Sequence, residues 1–93
     1  MPYIKSEDRI KWRGLIDLLD AVFKTVPEER VDGEMNFVIS TLLNRVYERD
    51  GKRCYKDFNR MMGVLSCATH EAYRRRIGPY EDIKIDENGD IVE

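Results

Sequence analysis

Apolar residues recur along this chain at helical spacing. Leu15, Ile16, Leu19, Val22, Phe23 and Val26 fall three and four positions apart, with Ile10 ahead of them and Trp12 at their edge. That period places them on one face of a helix. Ser6 reads as its N-cap, with Glu7 and Asp8 in the first turn against the positive end of the helix dipole. Pro27 ends the run, because the residue before a proline is pushed out of the helical region. The pattern predicts a first helix over about residues 6–25.

A polar connection from Pro27 to Gly33 follows. Asp32 or Gly33 then reads as the cap of a second stripe, made of Met35, Val38, Ile39, Leu42, Leu43, Val46 and Tyr47. Asp50-Gly51 is a turn pair that stops it, which predicts a second helix over 33–49. The third stripe is Phe58, Met61, Met62, Leu65, Ala68, Ala72 and Tyr73, widened by Val64, and predicts a helix over 54–76. Ile77-Gly78-Pro79 reads as a firm stop. Gly63, inside the third stripe, costs up to about 1 kcal/mol against Ala, so its expected use is the close approach of a neighbouring backbone.

The tail supports two readings. Pro79 at a first helical position, acids in the first turn and Gly89 as C-terminal cap describe a short fourth helix. Ile83-Lys84-Ile85, Asn88-Gly89 and Ile91-Val92 describe a β-hairpin instead. The helix is preferred, since a lone two-stranded hairpin is marginal in water. Three amphipathic elements with short links predict an all-α fold: a three-helix antiparallel bundle (about 6–25, 33–49 and 54–76) with a C-terminal helix or hairpin appendage.

Length sets the scale of the core. Ninety-three residues make one domain, expected to bury roughly 60–65% of its unfolded surface. Apolar residues are 42% and charged residues 37%, which excludes collagen-like, disordered and membrane-spanning classes. The start, Met1-Pro2-Tyr3-Ile4-Lys5, runs into charged residues without an apolar signal region, so a cytoplasmic location is expected. Cys54 and Cys67 are too few for a zinc site or a disulfide framework. On one helix they stand about 20 Å apart along its axis, beyond the roughly 7 Å that a disulfide spans. They are expected to be free thiols, buried or half-buried.

Charge changes the picture more than composition does. The net charge of -2 hides a strong asymmetry. Residues 1–44 carry six basic and eight acidic groups, net -2; residues 45–76 carry nine and four, net +5; residues 77–93 carry one and six, net -5. The basic excess comes from Arg45, Arg49, Lys52, Arg53, Lys56 and Arg60, then Arg74, Arg75 and Arg76. It marks a candidate polyanion-binding patch. Pairing of the last three arginines with the helix dipole and the acidic 79–93 segment is the alternative.

Candidate chemistry is sparse. His70-Glu71 matches half of the H-E-x-x-H zinc signature, but position 74 is Arg74, so the motif fails. Asn36, Asn59, His70 and Glu71 lie at the rims of the apolar stripes and form a candidate interhelical polar cluster. Its preferred reading is a hydrogen-bonded group that fixes helix register. The sharper one is a small ligand or metal pocket with Glu71 as base or ligand. Paired acids one turn apart, as in helical nucleotide pyrophosphohydrolases, are missing: Glu28 and Glu29 are adjacent, and Glu34 and Glu48 are isolated. No Gly-rich phosphate loop, nucleophile with a nearby base or dinucleotide fingerprint is present. No catalytic residue, metal or cofactor is therefore expected. Five tyrosines with Trp12, Met61 and Met62 would mark a partner surface wherever they stay exposed together.

Several strings carry a resemblance: Met1-Pro2-Tyr3-Ile4 with Glu7-Asp8-Arg9, Gly33-Glu34-Met35-Asn36-Phe37, Glu71-Ala72-Tyr73-Arg74-Arg75, Pro79-Tyr80-Glu81-Asp82, Lys84-Ile85 and Asn88-Gly89-Asp90-Ile91. Together they make the whole chain resemble a family of small uncharacterised proteins of prokaryotes and phages. The resemblance implies one compact domain and draws attention to Asn36, Glu71, Tyr73 and residues 79–90. It implies no substrate.

Three functions are expected, in order. The first is a non-enzymatic helical interaction module whose partner is another copy or another protein, and not a membrane. The second is nucleic-acid or other polyanion binding through residues 45–60 and Arg74–Arg76, gated by the acidic tail. The third is a small metal- or ligand-dependent enzyme around Glu71, Asn36 and Asn59.

Overall fold

A computed structural model of the chain describes residues 3–48, 51 and 54–92. The described elements are all helical. Contacts divide the chain into two compact units, Tyr3–Met61 and Met62–Glu93.

The first unit opens with a single 3-10 turn, Ser6–Asp8, ahead of α1, Ile10–Phe23. Ser6 does not cap with its side chain. Its carbonyl accepts from the Arg9 N–H at 3.2 Å, and the Arg9 Nε donates to the Ile4 carbonyl at 2.8 Å, which fixes the entry of the chain. Four residues later than predicted, α1 begins. It ends at Phe23, where the Thr25 hydroxyl donates to the Val22 carbonyl at 2.7 Å.

The second helix corrects the sequence reading. There is no polar connection over 27–33, because α2 spans Glu28–Val46 and starts directly after Pro27. Pro27 is extended (φ -56°, ψ 141°), and its carbonyl accepts from the Arg30 N–H at 2.9 Å. Glu28 and Glu29 then occupy the first turn, where carboxylates meet the positive end of the dipole. Those acids, and not Asp32-Gly33, start the helix. Its end comes at Val46, three residues before 49, and Gly51 (φ +69°) lies in the link that follows.

Helix α3, Tyr55–Ala72, is capped at Cys54. The Cys54 carbonyl accepts from the Asp57 N–H at 3.0 Å, while the Asp57 carboxylate accepts from the Cys54 N–H at 3.3 Å. The second bond is one half of a capping box, with Asp at the third helical position.

In the Met62–Glu93 unit the expected stop at 77–79 does not occur. A π-helical turn, Tyr73–Ile77, carries the chain into α4, Gly78–Asn88. The Gly78 N–H donates to the Tyr73 carbonyl five residues back. Pro79 has no N–H, and in an α-helix its ring would meet the carbonyl four residues back. The wider π turn just before it relieves that conflict. The hairpin reading fails, since Ile83–Ile85 lies within α4; Gly89 (φ +91°) caps it as predicted, its N–H donating to the Ile85 carbonyl at 2.8 Å.

The predicted core is not seen among the described residues, each of which is half-buried or exposed. Two smaller expectations fail with it. Cys54 and Cys67 are both exposed, and a Cβ built on Gly63 meets no atom within 4 Å.

Candidate interaction surface

In the Tyr3–Met61 unit the two apolar stripes face one another across an open cleft. Ile16, Leu19 and Phe23 of α1 line it with Met35 and Val38 of α2. The cleft half-covers Phe23 and Val38. Leu15, Ile16, Leu18, Leu19 and Val22 remain 45–64% exposed, so the apolar arc of α1 is wider than one neighbouring helix covers. Full burial of such a side chain is worth about 1.5–3 kcal/mol relative to full exposure, and these half-covered residues have gained only part of it.

The other end of α2 meets the start of α3. Asn44, Tyr47, Asp57, Phe58 and Met61 line a small crevice there. The Arg60 guanidinium lies 5.3 Å from the centre of the Tyr47 ring and 3.9 Å from the Asp57 carboxylate.

The Met62–Glu93 unit is held by short-range bonds along one helical path. The Tyr73 hydroxyl donates to Glu81 Oε2 at 2.6 Å, bridging the π turn. Ionising Tyr73 would break that bond and set a phenolate beside the Glu81 carboxylate. Its pKa is therefore raised above 10.0, with burial and Asp82 as lesser causes. Lys84 pairs with Glu87 at 2.9 Å and lies over the Tyr80 ring. Tyr73, Ile77, Tyr80 and Ile83 are 46–59% exposed along this path.

The predicted polar residues divide between the units. Asn36 Oδ1 accepts from the Ser40 hydroxyl at 3.1 Å, and the Ser40 carbonyl accepts from Asn44 Nδ2 at 2.7 Å, a ladder along α2. Asn36 thus bonds within its own helix; Asn59, on α3 in the same unit, is exposed. His70 is exposed and Glu71 half-buried, both in the Met62–Glu93 unit. Glu71 takes Arg74 at 3.1 Å and Arg75 at 3.7 Å. No group of three His, Cys, Asp or Glu side chains placed to hold a metal occurs among the described residues.

The basic residues divide as well. Arg60, Arg74 and Arg75 have carboxylates beside them, one turn away on their own helical path. Arg45, Lys56 and Arg76 make no ion pair among the described residues. Arg49, Lys52 and Arg53 lie outside the described residues. Glu71 lies beside both Arg74 and Arg75. No described helix is long and apolar enough to cross a membrane.

The Tyr73–Glu81 bridge was missed by sequence reasoning. Its signal was the apolar period running unbroken through Tyr73, Ile77, Tyr80 and Ile83 across Gly78-Pro79.

A family model described as a domain of unknown function (DUF6899) matches residues 1–91. No curated protein and no solved structure matches the chain.

Proposed function

The chain belongs to the DUF6899 family of domains of unknown function, and we propose that it is a non-enzymatic helical interaction module. Its apolar faces are binding surfaces, and self-association is their use. In that assembly the helices pack antiparallel and complete the bundle that their stripes encode. The observation that carries this reading is the absence of any buried residue among those described, beside stripes of regular helical period. A stripe this regular is a packing surface. Contiguous exposed apolar area on this scale is characteristic of association sites.

The interior glycines of the helices agree with it. Gly63 weakens α3 by up to about 1 kcal/mol against Ala. Among the described residues no atom lies within 4 Å of a Cβ built there. A helix from another molecule, approaching closely, fills that space.

Polyanion binding has weaker support, because Arg60, Arg74 and Arg75 already have carboxylates beside them. The enzyme reading has less support, since no group of three His, Cys, Asp or Glu side chains placed to hold a metal occurs among the described residues. Sedimentation velocity of the full chain tests the proposal. The expected result is a species of at least twice 11.0 kDa at micromolar concentration. An 11.0 kDa particle that binds no hydrophobic dye would contradict it.

A further inference from the structure

The π turn that joins α3 to α4 is where the Met62–Glu93 unit depends least on its backbone ladder. Pro79 brings no N–H to that ladder, and the residue before a proline favours extended backbone. Gly78 is nonetheless helical (φ -56°, ψ -52°), and its N–H donates to the Tyr73 carbonyl. Local sequence favours a break at Gly78-Pro79, so a contact outside the ladder keeps the path unbroken.

Tyr73 supplies that contact. Its ring lies over Gly78, where a Cβ would stand 3.9 Å from Tyr73 Cε1, and its hydroxyl donates to Glu81 Oε2 at 2.6 Å. In an uninterrupted α-helix, residues eight apart are turned by about 800°, which leaves them about 80° out of line. A π turn takes up one extra residue, so the same eight advance as about seven and come within about 20° of two full turns. The π turn brings Tyr73 and Glu81 into line, and their bond in return fixes the turn. The other pairs in this stretch are placed differently: Glu71–Arg74 and Glu71–Arg75 end within the turn, and Lys84–Glu87 stays within α4.

We propose that the π turn Tyr73–Ile77 is a hinge and that the Tyr73–Glu81 bond is its latch. Closed, the latch carries α4 onward from the end of α3 as one helical path. Open, the path parts at Gly78-Pro79 and α4 moves as a separate arm. The device lies wholly within the Met62–Glu93 unit, and it operates whether or not the chain self-associates.

Amide hydrogen exchange in the full chain tests this. Tyr73→Phe removes the latch, and exchange at the Tyr80, Glu81 and Asp82 amides is expected to quicken about three- to tenfold. The Val64–Thr69 amides of α3 are expected to keep their wild-type rates. Adding Pro79→Ala gives the ladder back its N–H, so the double variant is expected to exchange no faster than wild type. Unchanged rates in Tyr73→Phe would overturn the latch. Quickening spread equally over α3 and α4, or a Pro79→Ala addition that restores nothing, would overturn the hinge.

Spin labels on Cys67 and on Asp86→Cys read the geometry, with Cys54→Ser and with labelled chains diluted in unlabelled ones so that only distances within one molecule count. A single narrow distance of about 28 Å is expected when Tyr73 is present, the length of nineteen helical steps. A second, broader set is expected in Tyr73→Phe. One narrow distance in both would overturn the swing of α4.

Discussion

The two units use the same helical backbone for different ends. Tyr3–Met61 brings two helices face to face across an apolar cleft. Met62–Glu93 continues one helical path, held by Tyr73–Glu81, Lys84–Glu87 and the Glu71 ion pairs. The difference separates what makes a helix from what makes a core. Bonds between residues three, four or eight apart shape the second unit completely, yet leave its apolar side chains in water. Exposed ion pairs of this kind contribute roughly 0–1 kcal/mol each. They set direction and leave stability to the uncovered stripes.

The contrast breaks most readily at α1. Leu19 is 45% exposed in the chain, where its loss would cost little. In a completed assembly it is buried, and Leu19→Ala is expected to lower stability by about 2–4 kcal/mol. Chemical denaturation at fixed protein concentration measures this; a change within about 0.5 kcal/mol would place Leu19 at the surface.

Gly63→Ala sharpens the comparison through its sign. In an isolated helix the substitution stabilises by about 1 kcal/mol. Against a closely packed second molecule it destabilises by about 1–3 kcal/mol, the outcome expected here in a thermal melt. Asp57→Ala removes the carboxylate from the Cys54 N–H. Loss of about 0.5–1 kcal/mol is expected, with the fraying seen by hydrogen exchange at the first turn of α3.

The smallest effect concerns Tyr73, about half exposed. Its raised pKa means that the bond to Glu81 is fully present below the ordinary tyrosine pKa of 10.0 and is lost as pH rises through the raised value. Tyr73→Phe removes that bond and is expected to lower stability slightly at pH 7, an effect measured by chemical denaturation. An absorbance titration should show an ionisation above the ordinary tyrosine value of 10.0 that disappears in this variant; its persistence would remove the bridge.

Much of the fold was legible in the sequence. The apolar periods located all three stripes, Pro27 closed α1, and Gly89 capped the tail as a helix. Boundaries failed where two signals competed. Asp32-Gly33 resembled a cap, but Pro27 followed by Glu28-Glu29 gave the dipole its acids five residues earlier. Gly78-Pro79 resembled a stop, but a single π turn absorbs the proline, and local sequence carries no marker for that turn beyond the continuing period. The candidate polar cluster was read from positions on separate stripes. Asn36 found Ser40 on its own helix and Glu71 found Arg74 and Arg75, because partners one turn away are reached at the smallest entropic cost. The uncovered core was the least legible feature, since periodicity says which face is apolar and not which molecule covers it.

The central claim is that this core is made between chains. Thermal unfolding followed by circular dichroism over a hundredfold range of protein concentration tests it most directly. A midpoint that climbs steadily with concentration is predicted, because folding and association are then one equilibrium. A cooperative transition whose midpoint does not move would contradict the claim.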